Sequence, residues 1–143
     1  MGADLSRFIE AQESNYFTAL EEIKNGRKQG HWMWYIFPQI QGLGYSSTSQ
    51  YFAIQNIEEA TEYLNDNILG ARLIEICNEL LKLDSDDAYS ILGSPDNLKL
   101  KSSVTLFSQV ENAPPVFMAI LEKFFDNMHD DLTLKILDDL LAK

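Results

Sequence analysis

The stretch LGARLIEICNELLKL, residues 69–83, decides the fold. Its apolar residues recur at steps of three and four, so they share one face of an α-helix and leave the charged residues on the other face. The residues of this stripe are Leu69, Leu73, Ile76, Leu80 and Leu83. Most of the remaining chain has the same period, whereas strand signals are confined to residues 32–37 and 104–106.

Short polar signals indicate where these helices begin and end. Asn25-Gly26 is a typical C-terminal stop for the first helix, and Gly93 is predicted to end a short helix over residues 86–92. Ser, Asn and Asp residues before apolar runs, together with prolines, indicate the helix starts. The predicted starts lie at Asp4, Ser47, Asn56, Ser94, Pro114-Pro115 and Asp130.

The predicted fold is therefore all-α: a single multi-helical, bundle-like domain of seven to nine helices covering residues 1–143. A chain of this length buries about two-thirds of its surface and can fold without a disulfide or a metal. Hydrophobic residues make up 45% of it, which argues against disorder. No internal repeat and no linker is visible in the sequence.

The residue types point to a reducing compartment. Cys77 is the single cysteine, so it has no disulfide partner and most simply packs as a small apolar residue on a helix. Residues 1–9 lack the apolar core of a signal peptide, and no apolar run is long enough to span a bilayer. His31 and His129 are far apart in the sequence, so we predict no metal site and no cofactor.

The net charge of −11 restricts the partners. Nucleic-acid polymers and anionic membranes are bound mainly by Lys and Arg, so we predict that this chain binds neither. The basic residues are nevertheless clustered, at Lys24, Arg27, Lys28 and His31 and again at Lys99 and Lys101. Small basic clusters on an acidic body favour a small anionic ligand.

The stretch GHWMWYIFPQ, residues 30–39, breaks the helical pattern. It holds both tryptophans and is apolar on all sides, which predicts burial, and Pro38 ends it in an extended turn. Gly42 and Gly44 follow, and glycines permit either a positive φ or a close backbone approach. Aromatic walls beside a glycine turn and hydroxyls are typical of a small-molecule pocket, although such aromatic runs also occur simply as core.

Residues 93–107 form the second unusual stretch. If they are helical, Ser102 and Thr105 fall where a core stripe is expected, and buried hydroxyls need hydrogen-bond partners. Alternatively, Leu100, Val104 and Phe107 form the core face and the hydroxyls face solvent. Both arrangements fit the sequence.

These features favour a small phosphorylated or nucleotide-like ligand bound between segments 27–44 and 94–107. Tryptophan rings would stack on a planar ring, basic side chains would meet the phosphate, and Gln12 and Tyr16, one turn apart, could line a wall. His31 could act as an acid or base, and hydrolysis would also need a metal or a carboxylate such as Asp96, but the sequence assigns no catalytic residue. The predicted ligand-binding residues are Gln12, Tyr16, Arg27, Lys28, His31, Trp32, Trp34, Gln39, Gly42, Gly44, Lys99 and Ser103.

Two other functional classes fit the same residues. A protein-interaction module without catalytic activity would use the aromatic load of residues 31–44 as interface anchors for a protein partner. Alternatively, the chain has no functional site, and both unusual stretches are parts of the core whose buried polar groups form hydrogen bonds inside the protein.

The chain also resembles a family of uncharacterised, mostly bacterial, all-helical proteins that often carry a calpastatin-like label. The resemblance rests on blocks spread along the whole chain. The blocks are Asp4-Leu5 with Phe8 and Ala11-Gln12; Gly26-Arg27-Lys28 with His31-Trp32-Met33-Trp34 and Phe37-Pro38-Gln39; Gly42-Leu43-Gly44; Leu69-Gly70 with Arg72; Lys99-Leu100 with Ser103 and Leu106-Phe107; and Asp130 with Thr133-Leu134.

The resemblance implies a multi-helical single domain in the cytoplasm, and no activity. The family often has a His-Pro pair before its Leu-Gly, where this chain has Asp66-Asn67, so no role for a histidine is transferred there. The calpastatin label does not suit a chain whose composition predicts a packed domain.

Overall fold

A computed structural model describes residues 4–142 of the chain, which form nine α-helices and no β-strand. The all-α prediction is confirmed, with the helix number at the upper end of the expected range. Two parts of the predicted domain lie outside the described residues. They are residues 1–3, which belong to the N-terminal segment considered as a signal peptide, and Lys143, which ends the domain. The helices are α1 (Ser6–Lys24), α2 (Met33–Ile36), α3 (Ser47–Tyr51), α4 (Ile57–Asn65), α5 (Leu69–Lys82), α6 (Ala88–Leu92), α7 (Asp96–Ser108), α8 (Val116–Phe125) and α9 (Asp131–Leu141).

Helices α5 and α7 organise the core. α5 packs against α1, α4 and α8, and α7 packs against α4, α6, α8 and α9. The predicted stripe of α5 is the reason for its position, because Leu69, Leu73, Ile76 and Leu80 are all buried and Leu83 packs on the edge of the core. A helix with a continuous apolar stripe is stabilised mainly by packing that stripe against its neighbours.

Helix α7 combines parts of the two arrangements that the sequence left open: its apolar residues belong to the core, but its hydroxyls are buried and paired rather than facing solvent. Leu100, Val104 and Phe107 are buried, and so are Ser102 and Thr105. The two hydroxyls are paired with Asp130 at the start of α9: Ser102 Oγ donates to its carboxylate at 3.1 Å, and Thr105 Oγ1 accepts its backbone N–H at 2.9 Å. Because α7 has neighbours on several sides, polar and apolar faces are both inside.

Helix starts agree with the polar signals to within one or two residues. The side chains of Asn56 and Asp130 accept the N–H groups of Glu59 and Thr133, as N-caps do. The cap of α3 is Ser46 rather than Ser47, because Ser46 is extended and its hydroxyl accepts the Ser49 N–H. Two further differences are small: α1 begins at Ser6, whose N–H binds the Asp4 carboxylate, and α7 begins after Pro95.

The two regions with strand signals are helical. Residues 33–36 form α2, and residues 104–106 lie inside α7. The one strand-like pairing in the described part of the chain is an isolated parallel bridge between Ile40 and Ile54. Among residues 4–142 no helix is long and apolar enough to cross a membrane. The cytoplasmic setting stays a prediction.

Candidate functional site

A pocket of about 380 Å³ lies beside the end of α2, and we call it the Trp34 pocket. Trp34, Gln39 and the glycine turn form one side, and α3 with the segment that follows it forms the other. Backbone hydrogen bonds from Gln41 N to Ile54 O and from Ile54 N to Gln39 O, both 2.8 Å, join the two sides. The lining residues are Trp34, Gln39, Ile40, Gln41, Gly42, Gly44, Tyr45, Ser49, Gln50, Phe52, Ala53 and Gln55.

The sequence left two possibilities open for the glycines of this turn, a positive φ or a close approach, and the structure has one at each glycine. Gly42 has φ +93°, a conformation that disfavours residues with a Cβ. A Cβ at Gly44 would lie 2.6 Å from the Cβ of Ser49, so the turn packs directly on α3. The narrow turn therefore sets the distance between the two sides of the pocket.

The lining of the Trp34 pocket is neutral and rich in amides. Three of its four glutamine side chains donate to backbone carbonyls: Gln41 to Gln55, Gln50 to Tyr45, and Gln55 to Ala53. The amide of Gln39 has no hydrogen bond to any residue in the described range and is half-buried. It therefore offers a donor and an acceptor to a ligand.

Trp34 also contacts a group of charges outside the pocket, which we call the lysine–aspartate cluster: Lys28, Asp96 and Lys99. Lys28 Nζ lies 2.9 Å from the Asp96 carboxylate and stands over the Trp32 ring, 5.1 Å from its centroid. Lys99 Nζ lies 3.5 Å from the same carboxylate and 5.0 Å from the centroid of Trp34. Cation–π contacts of this kind fix both ammonium groups against the indoles.

The two lysines of this cluster differ in how exposed their side chains are and in how closely they pair with Asp96. The Lys28 side chain is 8% exposed and its ammonium also donates to the Gly30 carbonyl. The Lys99 side chain is 22% exposed and has the longer contact with Asp96. Two ammonium groups share the Asp96 carboxylate, and Lys28 also lies near the charge of Glu22, so Lys99 is the more weakly paired of the two lysines.

Trp32 is held by a residue that the sequence analysis did not identify, Glu22 of α1. Its carboxylate accepts hydrogen bonds from Gln29 N at 2.7 Å, from Gly30 N at 2.9 Å and from Trp32 Nε1 at 2.9 Å. Burial acts to raise the pKa of Glu22, but these hydrogen bonds and the nearby Lys28 charge outweigh it and hold the pKa below its usual value. Glu22 thus fixes the loop that leads into α2.

We expect Glu22→Gln to lower the free energy of unfolding by about 2 kcal/mol at neutral pH, because hydrogen bonds to a charged acceptor are lost. The folded pKa lies below the usual 4.5, so the stabilisation is complete above that value and is lost as the pH falls through the lowered pKa. The difference in the free energy of unfolding between the native chain and Glu22→Gln should therefore become smaller in acid. Urea unfolding at a series of pH values measures this difference, and Glu21→Gln, at an exposed neighbouring position, is the control. A difference that stays constant down to acid pH contradicts the prediction.

Gln12 and Tyr16 are buried and tie helices together. Gln12 Nε2 donates to the Tyr35 carbonyl at 2.7 Å and to the Tyr63 hydroxyl at 3.0 Å. The Tyr16 hydroxyl donates to the Arg72 carbonyl at 3.1 Å and also binds Glu75, and burial is the main cause that raises its pKa. Both side chains are therefore used in internal contacts away from the Trp34 pocket.

The remaining predicted residues are dispersed. Arg27 is exposed and lines a separate open depression with Phe17 and Glu21. His31 is exposed and does not line the Trp34 pocket. Ser103 is fully buried, and its hydroxyl has no hydrogen-bond partner among the described residues. Of the predicted set, Trp34, Gln39, Gly42 and Gly44 meet in one pocket, and Lys28, Trp32 and Lys99 meet beside it.

Comparison with known proteins places the chain in a family. The model of the family described as "Protein of unknown function (DUF1810)" matches residues 2–137. The structure resembles the crystal structure of the conserved hypothetical protein Rv1873 from Mycobacterium tuberculosis, with 41% sequence identity, a TM-score of 0.92, and coverage of 94% of this chain and 96% of that chain.

No curated protein matches the chain. The descriptions of the family and of the similar structure contain no calpastatin name. The match covers the tryptophan block, the glycine turn and α7, which carry the Trp34 pocket and the lysine–aspartate cluster. The chain therefore belongs to the DUF1810 family, a family of proteins of unknown function.

Proposed function

We propose that this protein binds a small nucleotide-like ligand in the Trp34 pocket, with a planar ring against the indole and a phosphate at Lys99. One observation carries the proposal: a partly exposed indole lines the pocket and has an ammonium group 5.0 Å from its ring centroid. Indoles bind planar rings by stacking, and an ammonium group binds phosphate by charge. The two contacts together favour a ligand that has both parts.

The lining supports an uncharged ring rather than a charged one. Every side chain that lines the pocket is neutral, and the free Gln39 amide can pair with the donor and acceptor edge of a heterocycle. The volume of about 380 Å³ lies at the lower end of the range of small-molecule pockets, about 300–1,000 Å³. A single nucleoside unit suits this space better than a polymer does.

The lysine–aspartate cluster supports the anionic part. Lys28 already neutralises Asp96 at 2.9 Å and is nearly buried, so Lys99 is the cation that a phosphate can recruit. Since the chain carries a net charge of −11, a single local cation favours a small anion over an extended one. The proposal assigns no catalytic residue.

A thermal-shift panel of nucleosides, nucleoside monophosphates, ADP-ribose, sugar phosphates and inorganic phosphate tests the proposal. A ligand present at about a hundred times its Kd stabilises the folded chain by about 2.7 kcal/mol, which is several degrees in Tm. We expect nucleoside monophosphates to raise Tm more than the matching nucleosides, and inorganic phosphate to raise it least.

Two variants separate the contributions. Trp34→Ala should weaken the binding of nucleosides and nucleotides alike, whereas Lys99→Gln should weaken only the phosphorylated ligands, by roughly tenfold. Lys101→Gln, two positions along α7 and outside the cluster, is the matched control and should leave both affinities unchanged. A panel without any shift, or equal losses in Lys99→Gln and Lys101→Gln, overturns the proposal.

A further inference from the structure

A second and larger concavity, of about 720 Å³, runs between α9 and the start of α4, and we call it the α9 groove. Its lining has two unlike sides. One side is apolar and comes mainly from the leucines of α9, and the other is polar. The lining residues are Gln41, Gln55, Asn56, Ile57, Glu58, Gln109, Leu134, Leu137, Asp138, Leu140 and Leu141.

The apolar side of the α9 groove is open to solvent. Leu137 is buried at its base, Leu134 and Leu140 are partly exposed, and Leu141 is 70% exposed. Most of the polar lining residues are also exposed. Exposed apolar side chains beside exposed polar residues are typical of surfaces that bind another protein.

The charges of the groove have one sign. Glu58 and Asp138 line it, and neither carboxylate has a hydrogen bond or an ion pair within residues 4–142. Asp139, the next residue on α9, is already paired with Lys135 at 3.1 Å. Among residues 4–142 no Lys or Arg lines the groove, so its two carboxylates are complementary to a cationic partner.

We propose that the α9 groove binds a short, basic amphipathic helix of a partner protein. Apolar residues on one face of that helix would contact Leu137, Leu140 and Leu141, and its flanking Lys or Arg residues would pair with Glu58 and Asp138. Helices that bind in grooves use this combination of apolar anchors at helical spacing and charges beside them. The net charge of −11 also attracts a basic segment during encounter.

A selection of displayed random peptides against the full-length chain tests the proposal. We expect the enriched peptides to share apolar residues at helical spacing and an excess of Lys and Arg. Their synthetic versions should bind with affinities that weaken as the salt concentration rises. Enrichment of neutral or acidic peptides, or no enrichment at all, overturns the proposal.

A matched pair of variants on α9 locates the binding site. Leu141→Glu places a charge in the groove, whereas Leu132→Glu places the same charge at another exposed leucine of α9 that does not line it. We expect Leu141→Glu to weaken peptide binding by roughly tenfold or more and Leu132→Glu to leave it unchanged. Equal binding to the two variants overturns the proposal.

Glu58→Gln tests the charge contribution, and it should weaken basic peptides more than their neutral analogues. Circular dichroism checks that each variant is folded. Repeating the nucleotide panel on Leu141→Glu distinguishes this proposal from the proposed function of the Trp34 pocket. The ligands should still raise the Tm of Leu141→Glu, although this variant has lost peptide binding. A peptide that binds Glu58→Gln as tightly as it binds the native chain contradicts the pairing with the carboxylates.

Discussion

Gly70→Ala is expected to lower the free energy of unfolding by about 3 kcal/mol, the upper part of the range for overpacking. A Cβ at Gly70 would lie 1.9 Å from the backbone oxygen of Leu64 and 2.8 Å from its carbonyl carbon. Both atoms belong to the backbone of α4, so no side-chain rotation can relieve the clash. Helices α4 and α5 would have to separate.

Helix propensity acts in the opposite direction. Alanine is better than glycine inside a helix by about 1 kcal/mol, which is smaller than the cost of moving two packed helices. Urea unfolding followed by circular dichroism measures the net effect. Gly93→Ala is the matched control, because Gly93 has φ +78° but nothing within 4 Å of the added Cβ.

The control isolates backbone strain from steric clash. Gly93→Ala should cost about 2 kcal/mol, because φ +78° with ψ 178° is a backbone conformation that is almost confined to glycine. A loss at Gly70 no larger than the loss at Gly93 would show that α4 and α5 do not pack as closely as described. A loss at Gly70 that exceeds the loss at Gly93 would instead explain the Leu69-Gly70 pair, which is part of the family resemblance, by this close contact of α4 and α5.

Arg7→Met is expected to lower the free energy of unfolding by a similar amount, about 3 kcal/mol, because it leaves the buried Glu59 carboxylate without its cation and with only the Gln55 N–H as a hydrogen-bond donor. Arg7 Nη2 lies 3.2 Å from Glu59 Oε1, and Glu59 is 6% exposed. The same guanidinium donates to the carbonyls of Tyr51 at 2.8 Å and Ala53 at 2.9 Å. It therefore fastens the segment that forms one side of the Trp34 pocket.

A double-mutant cycle separates the charge from the packing. Glu59→Gln alone should also destabilise, but adding Glu59→Gln to Arg7→Met should recover part of the loss, because the unpaired charge is removed. Arg7→Lys should fall between the native chain and Arg7→Met, since an ammonium group cannot reproduce the several directed contacts of a guanidinium. Losses that add without recovery would mean that the ion pair contributes little.

The sequence predicted the local part of this structure well. The stripe of α5, the caps at Asn56 and Asp130, and the roles of Gly42 and Gly44 follow from the spacing of residues that are close in the chain. Helix periodicity, capping and positive φ are local properties, so a sequence states them directly.

The candidate site was predictable only in part. The tryptophan block and the glycine turn pointed to the pocket. Gln12 and Tyr16, in contrast, have internal partners: Gln12 binds Tyr63, 51 positions away, and Tyr16 binds Arg72, 56 positions away. Nothing in the spacing of residues indicated that Arg7 would meet Glu59, 52 positions away. Polar side chains find partners through tertiary packing, which local patterns do not encode.

The sequence by itself determined that the chain is helical, where most helices begin, and which residues form the buried stripe of α5. Only the tertiary structure decided which polar groups meet across segments: Lys28 at Asp96, and Glu22 at Trp32. It also left Glu58 and Asp138 unpaired in the α9 groove, within the described range. The physical reason is that periodicity, capping and the pairing of charges one turn apart act within one segment, whereas a long-range ion pair or a pocket exists only where separate segments are brought together by the packing of the core.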